Sequence, residues 1–362
     1  MKVLWLNHRD IEHPSAGGAE RTIHEVSKRL VKRGHDVTLI SSAWPGANRR
    51  ACHSGVKVER YPSYLGPHLV LPLVLRSGVR PDVVVDDLAH VLPWGSPLLA
   101  ACRGTVFFRH LHARTLEGQV TPLLAKLLVR VERSYHLIYR NWTFTTEARG
   151  TLRDLQSIGI DANRCKLIPP GVDTELFVPG NKGLIPELVY FGGMRAYKRP
   201  SHAVKALGLL KSLGITAQLT VVGDGPESSS VRELAKQLGV SPQVKFAGHV
   251  STSRLAALLS TAWVNIHCST SEGWGYSTLE AASAGVPTVA YAVSGIIDSV
   301  ADGVSGKLVC DGQPSALAAG IKEVIESFPS WVTKCREHAL RFKWEKCSRS
   351  WEDHLREVAN NY

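Results

Sequence analysis

The order of apolar and polar positions along the first half of the chain predicts short strands separated by amphipathic helices. Apolar, β-branched or aromatic runs at residues 2–7, 37–41, 56–60, 83–86, 105–109 and 142–145 have the length and composition of strands. Between the first two, residues 20–33 place Ile23, Val26, Leu30 and Val31 on one side of a helix. Gly34 follows where a left-handed C-terminal cap is wanted. Strand, helix and strand in succession imply a parallel sheet.

The periodicity breaks at Ile168-Pro169-Pro170-Gly171-Val172-Asp173, and the stretch to Pro186 is rich in proline and glycine. Residues 171–186 are therefore expected to link two domains. Alternation then resumes, with strands expected at 188–192, 218–222, 244–247, 264–268, 288–291 and 307–309 and helical runs such as 231–238. One architecture is repeated: an α/β domain over residues 1–170 and another over 187–335. Trp344, Cys347, Trp351, Leu355 and Val358 form an apolar stripe at helical spacing, so residues 336–362 are expected to pack back on the N-terminal domain.

Length agrees with this division, since 362 residues suit two domains of roughly 150 to 180 residues, with a cleft between them. The apolar share of 44% and charged share of 21% belong to a folded chain, which excludes disorder. No run of about 18 uncharged apolar residues occurs, and the Met1-Lys2-Val3-Leu4-Trp5-Leu6 start lacks a signal peptide's apolar region; a cytoplasmic protein is expected. Seven scattered cysteines, none spaced Cys-x-x-Cys, argue against a disulfide framework and a thiolate metal site. The net charge of +11 suits nucleic acid, an anionic membrane or phosphorylated small molecules. No basic run interleaved with aromatics supports nucleic acid, so none is expected as a partner.

Four clusters are candidates for chemistry. Ser15-Ala16-Gly17-Gly18-Ala19-Glu20 lies between the first strand and first long helix, where paired glycines either admit a phosphate or simply make a tight turn; Glu20 reads as structural. Gly223-Asp224-Gly225-Pro226 follows the wrong strand for a dinucleotide fingerprint and reads as a turn. Gly193 to Pro200 gathers Arg195, Lys198 and Arg199 directly after the first strand of the second domain, where cations would neutralise a leaving diphosphate. From Ser271 to Pro287, a glycine-rich turn leads from a strand into a helix with free amides, with Glu272 and Glu280 around it. Carboxylates suit vicinal hydroxyls, and free amides suit phosphate or sugar oxygens.

Glu272 to Glu280 resembles the Glu-x7-Glu signature of a large family of retaining glycosyltransferases, family four, also called glycosyltransferase group 1. Ser15 to Glu20 is similar to its Gly-Gly-Ala-Glu loop, Arg33-Gly34-His35-Asp36-Val37 to its entry into strand two, and Pro170-Gly171-Val172-Asp173 to its linker. The resemblance implies the GT-B fold, two Rossmann-like doubly wound domains facing a central cleft. It implies transfer of a hexose from a UDP-sugar or GDP-mannose to a glycan, lipid-linked or small-molecule acceptor. By position, Gly17 and Gly18 would let the donor diphosphate approach, with Arg195 and Lys198 balancing its charge. Glu280 would hold the ribose, Glu272 the transferred sugar, and the amides of Gly275, Tyr276, Ser277 and Thr278 sugar and phosphate oxygens. The base would lie near Gly248 and Val250. His110 falls where the family places a histidine close to the sugar, with His112 as a competitor.

One departure concerns the arginine that the family carries directly after the glycine ending the strand. Gly193 stands there, and Arg195 follows two residues later. No Asp-x-Asp pair occurs, so no metal ligands and no cofactor beyond the donor are expected, and the retaining mechanism implied is same-face attack assisted by the leaving phosphate. An oxidoreductase would need Gly-x-Gly-x-x-Gly directly after strand one, which is missing. A catalytically impaired nucleotide-sugar-binding subunit is the alternative. Residues 121–140 read as one basic amphipathic helix, either resting on the inner face of an anionic membrane or packing between domains.

Overall fold

The computed structural model describes residues 1–76, 80–99, 103–112 and 121–360. They form two compact units, Met1–Gly171 with Trp344–Tyr362, and Val172–Lys343. Each is built on one sheet, whose neighbouring strands are parallel except for one edge pair in the first unit.

The first unit holds β1 (Lys2–Leu6), β2 (Asp36–Ser42), β3 (Arg50–His53), β4 (Val56–Tyr61), β5 (Val83–Leu88), β6 (Gly104–Phe108), β7 (Thr143–Thr146) and β8 (Cys165–Leu167). Their order is β3-β4-β2-β1-β5-β6-β7-β8, and only the β3–β4 pair is antiparallel. Sequence patterning misses β3 and β8. Both lie at sheet edges without a fully buried residue, so neither writes an apolar alternation. The helices are α1 (Gly18–Lys32), α2 (Gly66–Arg76), α3 (Ser96–Leu99), α4 (Pro122–Arg133), α5 (Tyr135–Ile138) and α6 (Arg149–Ser157).

The helix expected over 121–140 is thus two helices. Ser134 ends the first by donating its amide to Val131 O at 3.0 Å and its hydroxyl to the same oxygen at 2.7 Å. Tyr135 and Tyr139 then turn inward and join Leu4, Leu6, Val84, Val106 and Phe108 of the sheet and Leu71 and Leu75 of α2 in one core. Alternate residues of the same strands face the other way.

The second unit holds β9 (Glu187–Phe191), β10 (Gln218–Val222), β11 (Val244–Gly248), β12 (Val264–His267), β13 (Thr288–Tyr291) and β14 (Gly306–Val309), ordered β11-β10-β9-β12-β13-β14. Its helices are α7 (Pro200–Ser212), α8 (Ser228–Gln237), α9 (Thr252–Thr261), α10 (Tyr276–Ser283), α11 (Ile296–Ser299), α12 (Pro314–Glu326) and α13 (Trp331–Leu340).

Two boundaries differ from those expected. The proline-rich stretch is not a free linker, because Phe177 is fully buried, Gly180 donates to Ser260 O at 3.1 Å, and Lys182 Nζ reaches Ser260 O and Ala262 O. These contacts tie it to the second unit. The return to the first unit begins at Trp344 rather than residue 336, because α13 buries Cys335 and Ala339 in the second unit. The final helix, α14 (Trp344–Asn360), packs on the first unit. Trp351 is fully buried, its ring 5.0 Å from that of Trp5 and 4.8 Å from that of Phe107. Glu352 meets His35 and Arg33, each at 3.0 Å.

Candidate active site

In both sheets the strand order reverses beside the first strand of the unit: β1 lies between β2 and β5, and β9 between β10 and β12. Loops leaving the carboxyl ends of the two strands at such a point diverge and open a crevice, the usual ligand site of open parallel sheets. In the second unit these are the loops after β9 and β12.

The loop after β9 makes a short helical turn over Ala196–Lys198 and then places Arg199 at φ 47°, a left-handed conformation rarely taken by a residue with a side chain. Arg199 is held there by Asp311 at 2.5 Å. The turn brings Lys198 Nζ into direct contact with Glu272 Oε1. Ser269 Oγ donates to the same oxygen at 2.6 Å, and His267 Nε2 lies 3.5 Å from it. Burial opposes the charge of Glu272, but Lys198 and His267 outweigh it and hold this carboxyl well below the usual carboxylate range. Lys198 is the mirror case: burial disfavours its charge, and Glu272 more than compensates, raising its pKa. The site is an ion pair between loops at the strand-order reversal of the second unit.

The backbone of Glu272 is fixed too. Its amide donates to Ser294 O at 3.1 Å, and Gly295, at φ 81°, comes so close that a Cβ there would lie 2.2 Å from Glu272 O. Only glycine fits. Gly275 precedes α10 at φ 94°, and a Cβ on it would lie 2.5 Å from Ile296 Cδ1. Tyr276 and Ser277 open the helix, whose first amides have no acceptor within it by helix geometry. Thr278 is committed internally, since its amide and hydroxyl donate to Gly275 O at 3.0 and 2.8 Å. Glu280 is buried on α10, one turn behind.

Other expected residues fall as follows. Arg195 is exposed and folds back over Gly193, so that a Cβ on Gly193 would lie 3.9 Å from Arg195 Nε. Its side chain therefore borders the space that a residue-193 side chain would enter. Gly248 ends β11, with its carbonyl accepting from Gly223 N at 2.8 Å, and Val250 lies two residues on. The Gly223–Gly225 turn is tied to the loop after β9: Met194 N donates to Asp224 O and Glu227 N to Met194 O, both at 3.0 Å.

In the first unit, Glu20 Oε2 accepts from Gly17 N at 2.6 Å, so Glu20 caps its own helix and occupies the Gly17 amide; Gly18 starts α1. His110 is partly buried, with its ring 4.6 Å from that of His112. His112 is held on both sides, Nδ1 3.3 Å from Glu132 and Nε2 3.2 Å from Ala89 O. Among the described residues one group of three potential metal ligands occurs, Asp10, Glu12 and His53. Arg60 fills it, reaching both Asp10 oxygens at 2.7 and 2.8 Å and Glu12 at 2.8 Å.

Sequence reasoning passed over His267, Ser269 and Gly295. A histidine ending a buried strand looks like core, and Gly295 is distant in sequence from the glutamate it supports.

Comparison with known proteins agrees with this geometry. A family model described as glycosyl transferases group 1 matches residues 174–339, and one described as glycosyltransferase family 4 matches residues 16–176. The chain is 32% identical to the D-inositol 3-phosphate glycosyltransferase of Frankia alni, an alignment covering 92% of this chain and 93% of that one. Sucrose-phosphate synthase from Thermosynechococcus elongatus superposes with a TM-score of 0.84 at 20% identity, covering 100% of both chains. Anabaena HepE in complex with UDP-glucose superposes with a TM-score of 0.77 at 18% identity, covering 99% of this chain and 100% of that one. The paired parallel-sheet units, the Glu272–Lys198 site and these likenesses together establish that the chain belongs to glycosyltransferase group 1, family 4, with the GT-B fold.

Proposed function

We propose that this glycosyltransferase moves a hexose from a UDP-sugar or GDP-mannose to a hydroxyl acceptor, with retention at the anomeric carbon and without a metal ion. The observation that carries the donor assignment is the meeting of Lys198 and Glu272 at the strand-order reversal of the second unit. A cation for phosphate and a carboxylate for sugar hydroxyls stand side by side there. The likeness to HepE, whose complex contains UDP-glucose, and the relative named for D-inositol 3-phosphate support a nucleotide-sugar donor and a ring-shaped acceptor.

On donor binding, Lys198 exchanges Glu272 for the diphosphate, joined by Arg195 and the amides of Tyr276 and Ser277 at the start of α10. Ser269 and His267 keep Glu272 in place to accept from sugar hydroxyls, while Glu280 takes the ribose and the base lies near Gly248 and Val250. Contributions by Gly17, Gly18 and His110 of the first unit belong to the same proposal. The bond from the anomeric carbon to the diphosphate breaks with its electron pair going to phosphate, through an oxocarbenium-like state. The acceptor oxygen attacks the same face, and its proton passes to the departing phosphate oxygen.

Membrane contact from the cytoplasmic side is the remaining part. Leu123, Leu124 and Leu127 of α4 are exposed beside Lys126, Arg130 and Arg133, a combination suited to an anionic leaflet. No helix among the described residues is long and apolar enough to cross a membrane.

A thermal-shift panel of UDP, GDP, UDP-glucose, UDP-galactose and GDP-mannose, with and without excess chelator, tests the donor reading. The melting temperature rises with one nucleotide family and its sugar, chelator or not. No shift with any would sink the reading. Gly193 at the family's arginine position favours one other reading, a binding subunit without turnover; nucleotide release in the presence of an acceptor panel decides against it.

A further inference from the structure

Strands of a parallel sheet covered by helices are apolar on both faces, and β10 departs from that. Leu219 and Val221 lie on one face of it, Gln218 and Thr220 on the other. The register extends the polar face over three strands, with Glu187 of β9 beside Gln218 and Lys245 of β11 beside Thr220. Partners in register point to the same face, so a carboxylate, an amide, a hydroxyl and an ammonium group share one floor.

The helix α9 raises a wall beside this floor. Arg254, Ala257, Leu258 and Thr261 recur at helical spacing along one side of it. Floor and wall line a cavity of about 570 Å³. Small-molecule sites run from about 300 to 1,000 Å³. Glu187 begins β9 and the donor loop follows Phe191 at its other end, so the length of the strand, about 13 Å, separates the cavity from the donor loop. A ligand there binds without taking part in transfer.

The polar groups of the cavity are not committed elsewhere. Among the described residues, no hydrogen bond or ion pair engages the side chains of Glu187, Gln218, Lys245 or Arg254. The Thr220 hydroxyl has none either, although the residue is only 6% exposed. A polar group buried to that degree is usually hydrogen-bonded, and an exception needs a ligand or solvent to complete it. Comparable charges elsewhere in the second unit are paired, Lys307 with Glu323 at 2.7 Å and Arg199 with Asp311 at 2.5 Å.

The lining narrows the ligand. Arg254 and Lys245 are donors only, and the planar fork of an arginine matches phosphate with two hydrogen bonds. Glu187 is an acceptor only and repels an anion, but it accepts from hydroxyls; Gln218 and Thr220 can both donate and accept. Glu187 and Lys245 stand on strands two spacings apart, about 10 Å, so one compact anion does not serve both ends. A molecule with a phosphate at one end and hydroxyls at the other does.

We propose that this cavity binds a phosphorylated polyol, of the sugar phosphate or cyclitol phosphate class, at a site separate from the donor loop. Arg254 and Lys245 hold the phosphate, and Glu187, Gln218 and Thr220 take the hydroxyls. Nothing in this assignment depends on the donor reading.

Titration calorimetry on the full chain tests the cavity, with glucose 6-phosphate and myo-inositol 1-phosphate as probes and glucose, myo-inositol and inorganic phosphate as controls. At least one ester binds the wild type, at least about tenfold more tightly than its parent polyol or inorganic phosphate. Arg254→Ala weakens that binding at least about tenfold and Thr220→Val about threefold, while Lys198→Ala in the donor loop leaves it unchanged. Arg254 is exposed and valine has the shape of threonine, so both variants should melt as the wild type does; if Thr220→Val does not, Arg254→Ala alone decides. The proposal is overturned if neither ester binds, or if every binding event of the esters survives Arg254→Ala. It is equally overturned if inorganic phosphate binds as tightly as the esters, which would mark a bare anion patch, or if Lys198→Ala abolishes ester binding, which would place the ester in the donor loop.

Discussion

Replacing Glu272 by glutamine should make the protein bind a bare nucleoside diphosphate more tightly. Lys198, the group proposed to receive the phosphates, is held by Glu272 when no donor is present, so the diphosphate must compete with a carboxylate for it. Two unit charges about 4 Å apart at an effective dielectric of about 20 attract by ~4 kcal/mol. Both side chains retain some solvent, 20% and 14% of their surfaces, which screens most of this and leaves about 1 to 2 kcal/mol. Glutamine keeps the shape and still accepts from Ser269, but frees Lys198. The Kd of UDP or GDP, whichever raises the melting temperature, should therefore fall roughly five- to thirtyfold. The sugar ester gains the same phosphate contribution but loses charge-assisted hydrogen bonds to its hydroxyls, worth about 1.5 to 3 kcal/mol. Its preference over the bare diphosphate should disappear. Titration calorimetry at low and at physiological salt reads both effects, the gain shrinking with salt. Weaker or unchanged binding of the bare diphosphate by Glu272→Gln would refute the competition.

Three further outcomes are expected. Trp351→Ala removes a fully buried ring between Trp5 and Phe107 and should cost about 3 to 5 kcal/mol, read as a fall in the denaturant midpoint of the first unit; a change under about 1 kcal/mol would show that α14 merely rests there. Gly295→Ala pushes on Glu272 O and should abolish preference for the sugar ester while far-UV circular dichroism stays the same, and unaltered donor binding would contradict the close approach. His68, His90 and His354 have folded pKa values near 4, below the ordinary 6.5, so the unfolded chain takes up more protons as pH falls past 6.5; urea midpoints should drop steadily from pH 7 toward pH 4, and a flat profile would contradict their burial as neutral rings.

Strands with two buried faces were the most legible part of the fold. The residues of β5 are buried throughout and read as an unbroken apolar run until Asp86, whose burial pushes its pKa up to about 7 against the opposing hydrogen bonds from Ser96 and Tyr139, and which no periodicity anticipates. The break at Ser134 was not legible, because both halves of that segment keep helical composition and only the inward turn of Tyr135 and Tyr139 separates them. The placement of the glutamate pair was legible because both residues lie within one turn and one helix. The partners of Glu272 were less so: Lys198 stood out as part of a cationic run, whereas Gly295 acts through backbone contact that leaves no charge or periodicity in the sequence. The polar floor beside α9 comes from residues of three separate strands, Glu187, Gln218 with Thr220, and Lys245, each ordinary alone. Sheet order brings them together, and sheet order is a tertiary property.

Release of nucleoside diphosphate from its hexose ester, measured with an acceptor panel for the wild type and Lys198→Ala, tests the central claim most directly. Turnover with one donor family, lowered about a hundredfold or more by Lys198→Ala in a protein that melts normally, is the predicted result. A wild type that binds the donor but releases no nucleoside diphosphate with any acceptor, or a Lys198→Ala variant as fast as the wild type, would contradict it.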